Sequence, residues 1–428
     1  MTTLSLTIHR GTHEIGGSCV EVATQTSRLL IDAGSPLESD DAKKDKAIVP
    51  RSLSASLRKK SPPLSGVLIS HPHMDHYGLL PKLPSDVPVY AGQFASVLMK
   101  FSNELSNKPM KWNAPKTISD RTKLQIGDFT ITPYLMDHSG FDSYAFLIEA
   151  QGKRIFYSGD FRAHGRKSAM FKRFLKQAPK NIDALILEGT TIGRAQEHSM
   201  SEQDLEAKFI QSIKRTQGPV FITLAGQNID RIVSVYKAAM ADNRILIIDP
   251  YIAEILDRIK KQYVADGKPC SLPQASWPKV KVCYPERVCS WLKGKRLGSI
   301  CTRHQKDKIE WDQLVKIQDN IVMMVRPSSF DEVRDNILFE LSDALWIYSM
   351  WTGYLKNEMM TLFSDFKVAE AKIEFLHTSG HADADALRAM VDALKPTTII
   401  PIHTSQPDRY RELFPNVTIA NDGKQLSI

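Results

Sequence analysis

Hydrophobic and polar positions change rhythm twice along this chain. At the start they alternate with period two. Leu4 to Ile8, Cys19 to Val22 and Arg28-Leu29-Leu30-Ile31-Asp32-Ala33-Gly34 read as strands. A Gly-rich turn, Gly11 to Ser18, separates the first two. It has the composition of a phosphate loop, but no helix carrying a lysine follows it. Residues 36–63 are polar and charged, with Lys43, Lys44, Lys46, Arg51, Arg58, Lys59 and Lys60, and predict a long loop with a short helix from Pro50 to Lys59. Val67-Leu68-Ile69 is a short apolar run of buried-strand type. A helix is expected near 92–104, paired strands at 122–125 and 128–135, and a hairpin of Tyr144 to Glu149 with Arg154 to Ser158, turning at Gln151-Gly152. A further strand runs from Asp183 to Leu187.

From about 195 to 350 the rhythm becomes an alternation of strand and helix. Ser201-Glu202-Gln203-Asp204 reads as a helix cap. Strands follow at Pro219 to Thr223, Arg244 to Ile248, Ile321 to Val325 and Ala344 to Tyr348, with helices from Asn228 to Ala239 and Tyr251 to Tyr263. Such alternation argues for a parallel α/β layer. The strands Ile373 to Leu376 and Thr397 to Ile402, with a helix from Asp383 between them, then read as a return to the first domain.

Composition narrows the class. At 428 residues, 42% apolar and 24% charged, the chain is long enough for two or three domains with real cores. No apolar run approaches the ~18 residues of a membrane span, and the first residues carry no export signal, so a cytoplasmic protein without membrane contact is expected. Five cysteines are sparse and odd in number, and reduced thiols are the expectation. Cys283, Cys289, Cys301 and His304 fit no familiar zinc spacing. The net charge of +8 favours a polyanionic partner. Residues 258–308 hold thirteen Lys/Arg against three acids, interleaved with Tyr263, Trp277, Tyr284 and Trp291. Such a surface could track phosphates and stack bases, although a solvated basic face over core aromatics has the same composition.

The chemistry begins at Ser70-His71-Pro72-His73-Met74-Asp75-His76-Tyr77-Gly78, where four potential metal ligands fall within six residues just after a strand. Neutral imidazoles and a carboxylate suit a borderline cation such as zinc. Further candidates stand at strand ends: His138, Asp160 and His403.

The His71-Pro72-His73-Met74-Asp75-His76 run resembles the signature of metallo-β-lactamase-fold hydrolases. Together with Gly159-Asp160-Phe161, Glu188, His377-Thr378-Ser379-Gly380-His381 and His403, the chain is similar to the β-CASP branch, which includes ribonuclease J and the cleavage-and-polyadenylation endonuclease. The resemblance implies an α/β protein: a metallo-β-lactamase αββα sandwich with an inserted β-CASP α/β domain. Its domains would be 1–190, an insert at 191–350, and a returning part at 351–428. Asp32 would support the ligand loop rather than bind metal. Seven ligands suit two metals sharing one carboxylate: His71, His73 and His138 on one, Asp75, His76 and His403 on the other, Asp160 bridging. Asp75, His381 and Glu188 would be catalytic, with His381 the general acid and Glu188 fixing its tautomer. His377, Ser379 and Gly380 would line the phosphate site, and Gln227 and Asn228 would contact substrate, with helix capping as their plainer role. His13, His164 and His198 read as non-catalytic, the last two as surface histidines. The implied cofactor is two Zn²⁺, with Mn²⁺ as the alternative metal. The implied activity is endo- or 5′-exonucleolytic hydrolysis of single-stranded RNA. The alternatives are a DNA nuclease or other phosphodiesterase, or a non-catalytic RNA-binding subunit, which typically loses ligands. Relatives usually carry a further C-terminal domain, for which too few residues follow His403, so the expected homodimer is left open.

Overall fold

The computed structural model describes residues 4–37, 49–59, 62–107, 109, 114–194, 200–337, 343–355 and 371–428. The chain folds as two compact units. The first gathers Met1–Met99, Met110–Ser199 and Gly380–Ile428, and the second Lys100–Pro109 and Met200–Ser379.

The first unit holds two sheets. One has seven strands in the order Gln425–Ser427, Ser5–Arg10, Cys19–Ala23, Arg28–Ile31, Leu64–Leu68, Val89–Gly92, Lys116–Ile118. The other has six, in the order Thr398–Ile402, Ala184–Glu188, Lys153–Tyr157, Ser143–Ala150, Phe129–Met136, Leu124–Ile126. Alternation explains why they stack. Leu6, Ile8, Val20, Val22, Leu29 and Ile31 point to one side of the first sheet and meet Phe129, Ile131, Phe146, Ile148, Tyr157 and Ile186 of the second. Each sheet buries its other face under helices. The first covers Leu30, Val67 and Ile69 with Leu53, Ala95 and Met99. The second covers Met136, Leu147, Phe156 and Leu185 with Phe171, Phe174, Leu387 and Met390. This is the expected αββα sandwich.

The second unit is a seven-stranded, wholly parallel sheet in the order Lys308–Ile309, Val280–Cys283, Ile245–Ile248, Ile321–Val325, Val220–Thr223, Leu345–Tyr348, Lys372–Phe375. Its central strands are continuously buried, as a sheet covered on both faces requires. One expectation is corrected here. The strand Lys372–Phe375 does not return to the first domain. It pairs in parallel with Leu345–Tyr348 and extends the second sheet, so the first unit resumes only at Gly380, not at 351. Among the described residues, no helix is long and apolar enough to cross a membrane. The lysines at 43, 44, 46 and 60, and His198, lie outside the described residues.

Candidate metal centre

Strand ends position every residue of the cluster. Leu64–Leu68 runs out into Ser70 and His71, and His73 caps the single turn Met74–Tyr77 that presents Asp75 and His76. Phe129–Met136 leads to His138, Lys153–Tyr157 to Asp160, Ala184–Glu188 ends on Glu188 itself, and Thr398–Ile402 leads to His403. Asp32 and His403 both adopt left-handed backbone conformations, with φ of 55° and 54°. A non-glycine residue there costs about 1–2 kcal/mol, and strain of this kind concentrates at functional sites.

The side chains converge. His71 Nε2 lies 3.0 Å from His73 Nδ1, and His138 Nε2 lies 3.3 Å from the same atom. Nitrogens around a tetrahedral ion with bonds of 2.0–2.1 Å stand about 3.3 Å apart. The second group has Asp75 Oδ2 at 3.2 Å from His403 Nε2 and 3.9 Å from His76 Nε2. One oxygen, Asp160 Oδ2, faces both groups: 3.7 Å from His71 Nε2, 3.2 Å from His76 Nε2 and 3.7 Å from His403 Nε2. Ligand atoms of His71, His73 and His138 lie within 4.8 Å of one another, as do those of Asp75, His76 and His403.

Outer partners fix which nitrogen faces inward. Nδ1 of His71 contacts Ser70 Oγ (3.0 Å), that of His76 contacts Asp32 Oδ2 (2.7 Å), that of His138 contacts the Gly380 carbonyl (2.5 Å), and that of His403 contacts Thr190 Oγ1 (2.7 Å). In each case Nε2 is left for the centre, the arrangement expected of metal-ligating histidines. Asp32 also accepts from Ser70 N, Ser70 Oγ and Tyr157 Oη, each at 2.7 Å. Ser70, Tyr157 and Thr190 were not singled out from sequence. Their only local signal is adjacency to a strand end, which many residues share.

Three of the five histidines and both carboxylates are held in the form that binds a cation, and His76 is the exception. Burial, reinforced by the neighbouring imidazoles, holds His71 and His138 well below the ordinary histidine range and His73 down to about 4. These three are neutral donors at neutral pH. Burial would raise Asp75 and Asp160, yet the surrounding histidines hold both carboxylates low and ionised. Burial would lower His76, but Asp160, Asp32 and Asp75 carry it well above the usual value.

His381 stands beside these groups, with Nδ1 3.4 Å from Glu188 Oε2 and 3.6 Å from Asp160 Oδ2. Its ring stacks on His403 at 5.4 Å. Burial would lower its pKa, but Glu188 and then Asp160 raise it. Glu188 is fully buried and is held by the backbone N–H groups of Phe161, Ala382 and Thr190 (3.1, 3.3 and 3.2 Å).

The other sequence candidates divide. Gly380 belongs to the first unit through its carbonyl on His138. His377 and Ser379 belong to the second unit. Asn228 is the helix cap, accepting from Arg231 N, and Gln227 donates to Ser102 Oγ and Tyr251 Oη, both at 3.0 Å. His164, expected at the surface, is buried within the loop that follows Asp160. Among the described residues, no metal-capable group includes Cys283, Cys289, Cys301 or His304. Of the four aromatics in the basic segment only Trp291 is exposed. Trp277 packs on Tyr236, and Tyr284 has its hydroxyl buried.

Residues 27–222 match the family described as beta-lactamase superfamily domain, and residues 368–414 the one described as Zn-dependent metallo-hydrolase RNA specificity domain. Ribonuclease J of Mycoplasma genitalium is 26% identical over 408 residues, 92% of this chain and 66% of that protein. Ribonuclease J 2 of Streptococcus pyogenes serotype M3 is 20% identical over 439 residues, 99% of this chain and 73% of that one. The chain therefore spans just under two thirds of the first of these relatives. A crystal structure of a protein of unknown function from Enterococcus faecalis V583 matches over 100% of both chains with a TM-score of 0.79 at 18% identity, which shows the shared fold. The family matches and the His/Asp clusters together support a divalent metal cofactor.

Proposed function

We propose, from the premise that this chain belongs to the β-lactamase superfamily in its β-CASP, ribonuclease J-like branch, that it is a metal-dependent ribonuclease acting on phosphodiester bonds of single-stranded RNA. The observation that carries the reading is Asp160 Oδ2, one carboxylate oxygen facing two separate groups of ligands. His71, His73 and His138 would hold one Zn²⁺, Asp75, His76 and His403 the other, and Asp160 would serve both. Mn²⁺ is the alternative metal. Bound there, two divalent cations supply Lewis acidity that lowers the pKa of a water and offsets charge on phosphoryl oxygens.

The protein's own groups do the rest. Asp32 and Thr190 hold the imidazoles of His76 and His403 in the orientation that points Nε2 inward. His381 lies outside the two proposed ligand triples, although it shares a metal-capable group with Asp160, Glu188 and His403; its pairing with Glu188 makes it the proposed proton donor to the leaving 3′-oxygen. Glu188 keeps that imidazole protonated and oriented. His377, Ser379 and Gly380 are proposed to line the scissile phosphate. Gln227 and Asn228 are weaker candidates, because their side chains are engaged within the second unit.

The test uses matched single-stranded RNA and DNA, 5′-monophosphorylated and 3′-labelled, with zinc or manganese and an Asp75→Ala control. RNA cut only by the intact protein supports the reading, and the product ladder separates endonuclease from 5′-exonuclease. Preferential cutting of DNA moves the substrate class to the alternative. No cutting of either strand by metal-loaded protein overturns the reading.

A further inference from the structure

The second unit carries a pocket of its own. Arg287, Val288, Trp291 and Arg326 line a cavity of about 350 Å³, within the size range of small-molecule sites. Its place follows from topology. Ile245–Ile248 and Ile321–Val325 are neighbours in the parallel sheet. The first connects outward to Val280–Cys283, and the second connects the opposite way, across Val220–Thr223, to Leu345–Tyr348. Strand order thus reverses between them, and in open α/β sheets ligands bind outside the carboxyl ends of strands at such a reversal. The residues just past those two ends are Asp249 and Arg326, which form an ion pair.

The chemistry of the walls is specific. The Arg326 guanidinium lies 4.5 Å from the Tyr251 ring centroid and 5.9 Å from that of Trp291. Its Nε is taken by Asp249, while its Nη2 has no hydrogen-bond partner among the described residues. The helix Glu286–Gly294 supplies Arg287, Val288 and Trp291, with Arg287 and Trp291 on one face at i and i+4. Among the described residues the Arg287 guanidinium pairs with Asp331, at 2.6 Å in an exposed pair that an anion displaces at little cost, and its backbone N–H donates to Glu332. A half-exposed indole beside two guanidinium groups is a surface for a π-system joined to an anion.

We infer that this pocket binds a nucleoside phosphate, its base stacked on Trp291 and its phosphate held by Arg287 and Arg326. The ligand is a nucleotide of an RNA strand or a free mononucleotide, and the strand version rests on the ribonuclease reading.

The experiment measures binding on the full chain in chelator, so that it does not depend on the metal centre. Fluorescence anisotropy follows a labelled single-stranded oligoribonucleotide, and tryptophan quenching follows 5′-AMP. Stacking on one aromatic typically changes affinity by roughly 5- to 150-fold. Trp291→Ala is expected to weaken one of the two ligands within that range. Arg287→Ala is expected to weaken it several-fold and, for RNA, to reduce the salt slope by about one phosphate contact. Loss for RNA alone assigns the pocket to the strand, and loss for 5′-AMP alone assigns it to a free nucleotide. Both variants within twofold of the parent for both ligands overturn the inference. Hydrolysis of a small chromogenic phosphodiester by Trp291→Ala, with metal restored, serves as the folding control. Binding at the pocket by a protein that never cuts RNA would leave the pocket standing and remove the ribonuclease reading.

Discussion

Four histidines of the centre, His71, His76, His138 and His403, contact an outer partner through Nδ1 and turn Nε2 inward, whereas His73 faces the cluster with Nδ1. Asp32 shows how much rests on one orienting group, since it takes four hydrogen bonds, from Ser70 N, Ser70 Oγ, Tyr157 and His76. Asp32→Asn keeps the shape but turns one acceptor into a donor aimed at His76 or Tyr157. Metal affinity, read by competition with a chromophoric chelator, is expected to fall about 10- to 100-fold. An unchanged affinity would show that the loop holds His76 without it. The role proposed for His381 is different, because it depends on its proton. His381→Ala is expected to retain both metals and lose about 10²–10⁴ in rate, and loss of metal in that variant would make it a ligand instead. The pH profile adds a signed test. A proton donor is active while protonated, so the rate falls as pH rises through the raised pKa of His381. Glu188→Gln removes the leading cause of that rise, so this alkaline limb should move to lower pH. A limb that stays in place would assign it to another group. At this scale the sequence was informative where ligands crowd together, as at His71 to His76. It was silent on Thr190 and Tyr157, because a hydroxyl that reaches a ligand across the fold leaves no local trace.

Elements were legible in existence and type wherever periodicity was strong, and much less so in partnership. The strand at 372–375 could be read from Ile373-Glu374-Phe375, yet its sheet could not, because parallel pairing joins strands distant in sequence. Its exposed Phe375 and its Glu374, bonded to Ser212, mark it as an edge strand of the second sheet. The helices of that unit are tied by a pair that no pattern announces. Arg231, fully buried on helix Ile229–Ala241, donates to Glu202 on helix Glu202–Lys214, and to the Ser349 carbonyl (2.8 Å) past the strand Leu345–Tyr348. Removing one partner of a buried pair leaves the other charge uncompensated and costs about 3–5 kcal/mol. Glu202→Gln should therefore lower stability by about that amount in urea denaturation, whereas a change under 1 kcal/mol would show that Ser349 and the Thr378 carbonyl satisfy the arginine.

On the scale of the molecule, the first unit is assembled from separate stretches of chain, and its centre joins all of them. Metal bound only to the folded form should stabilise it by about 2.7 kcal/mol at a hundredfold excess over Kd. Chelation should accordingly lower the melting temperature by roughly 5–10 °C in calorimetry. No shift on adding and removing zinc or manganese would mean that the cluster holds no metal in solution. The sequence made the sandwich and the insert recognisable through motif order, but not the sheet boundary between them, which depends on packing. The 328-residue separation between Asp75 and His403, which meet at 3.2 Å, also has a consequence in time. A ribosome adding about 5–20 residues per second finishes Asp75 roughly 15–65 s before it reaches His403. Through that interval the growing polypeptide holds an incomplete centre, and if the proposed ribonuclease activity holds, the nascent chain lacks the means to cut the message being translated.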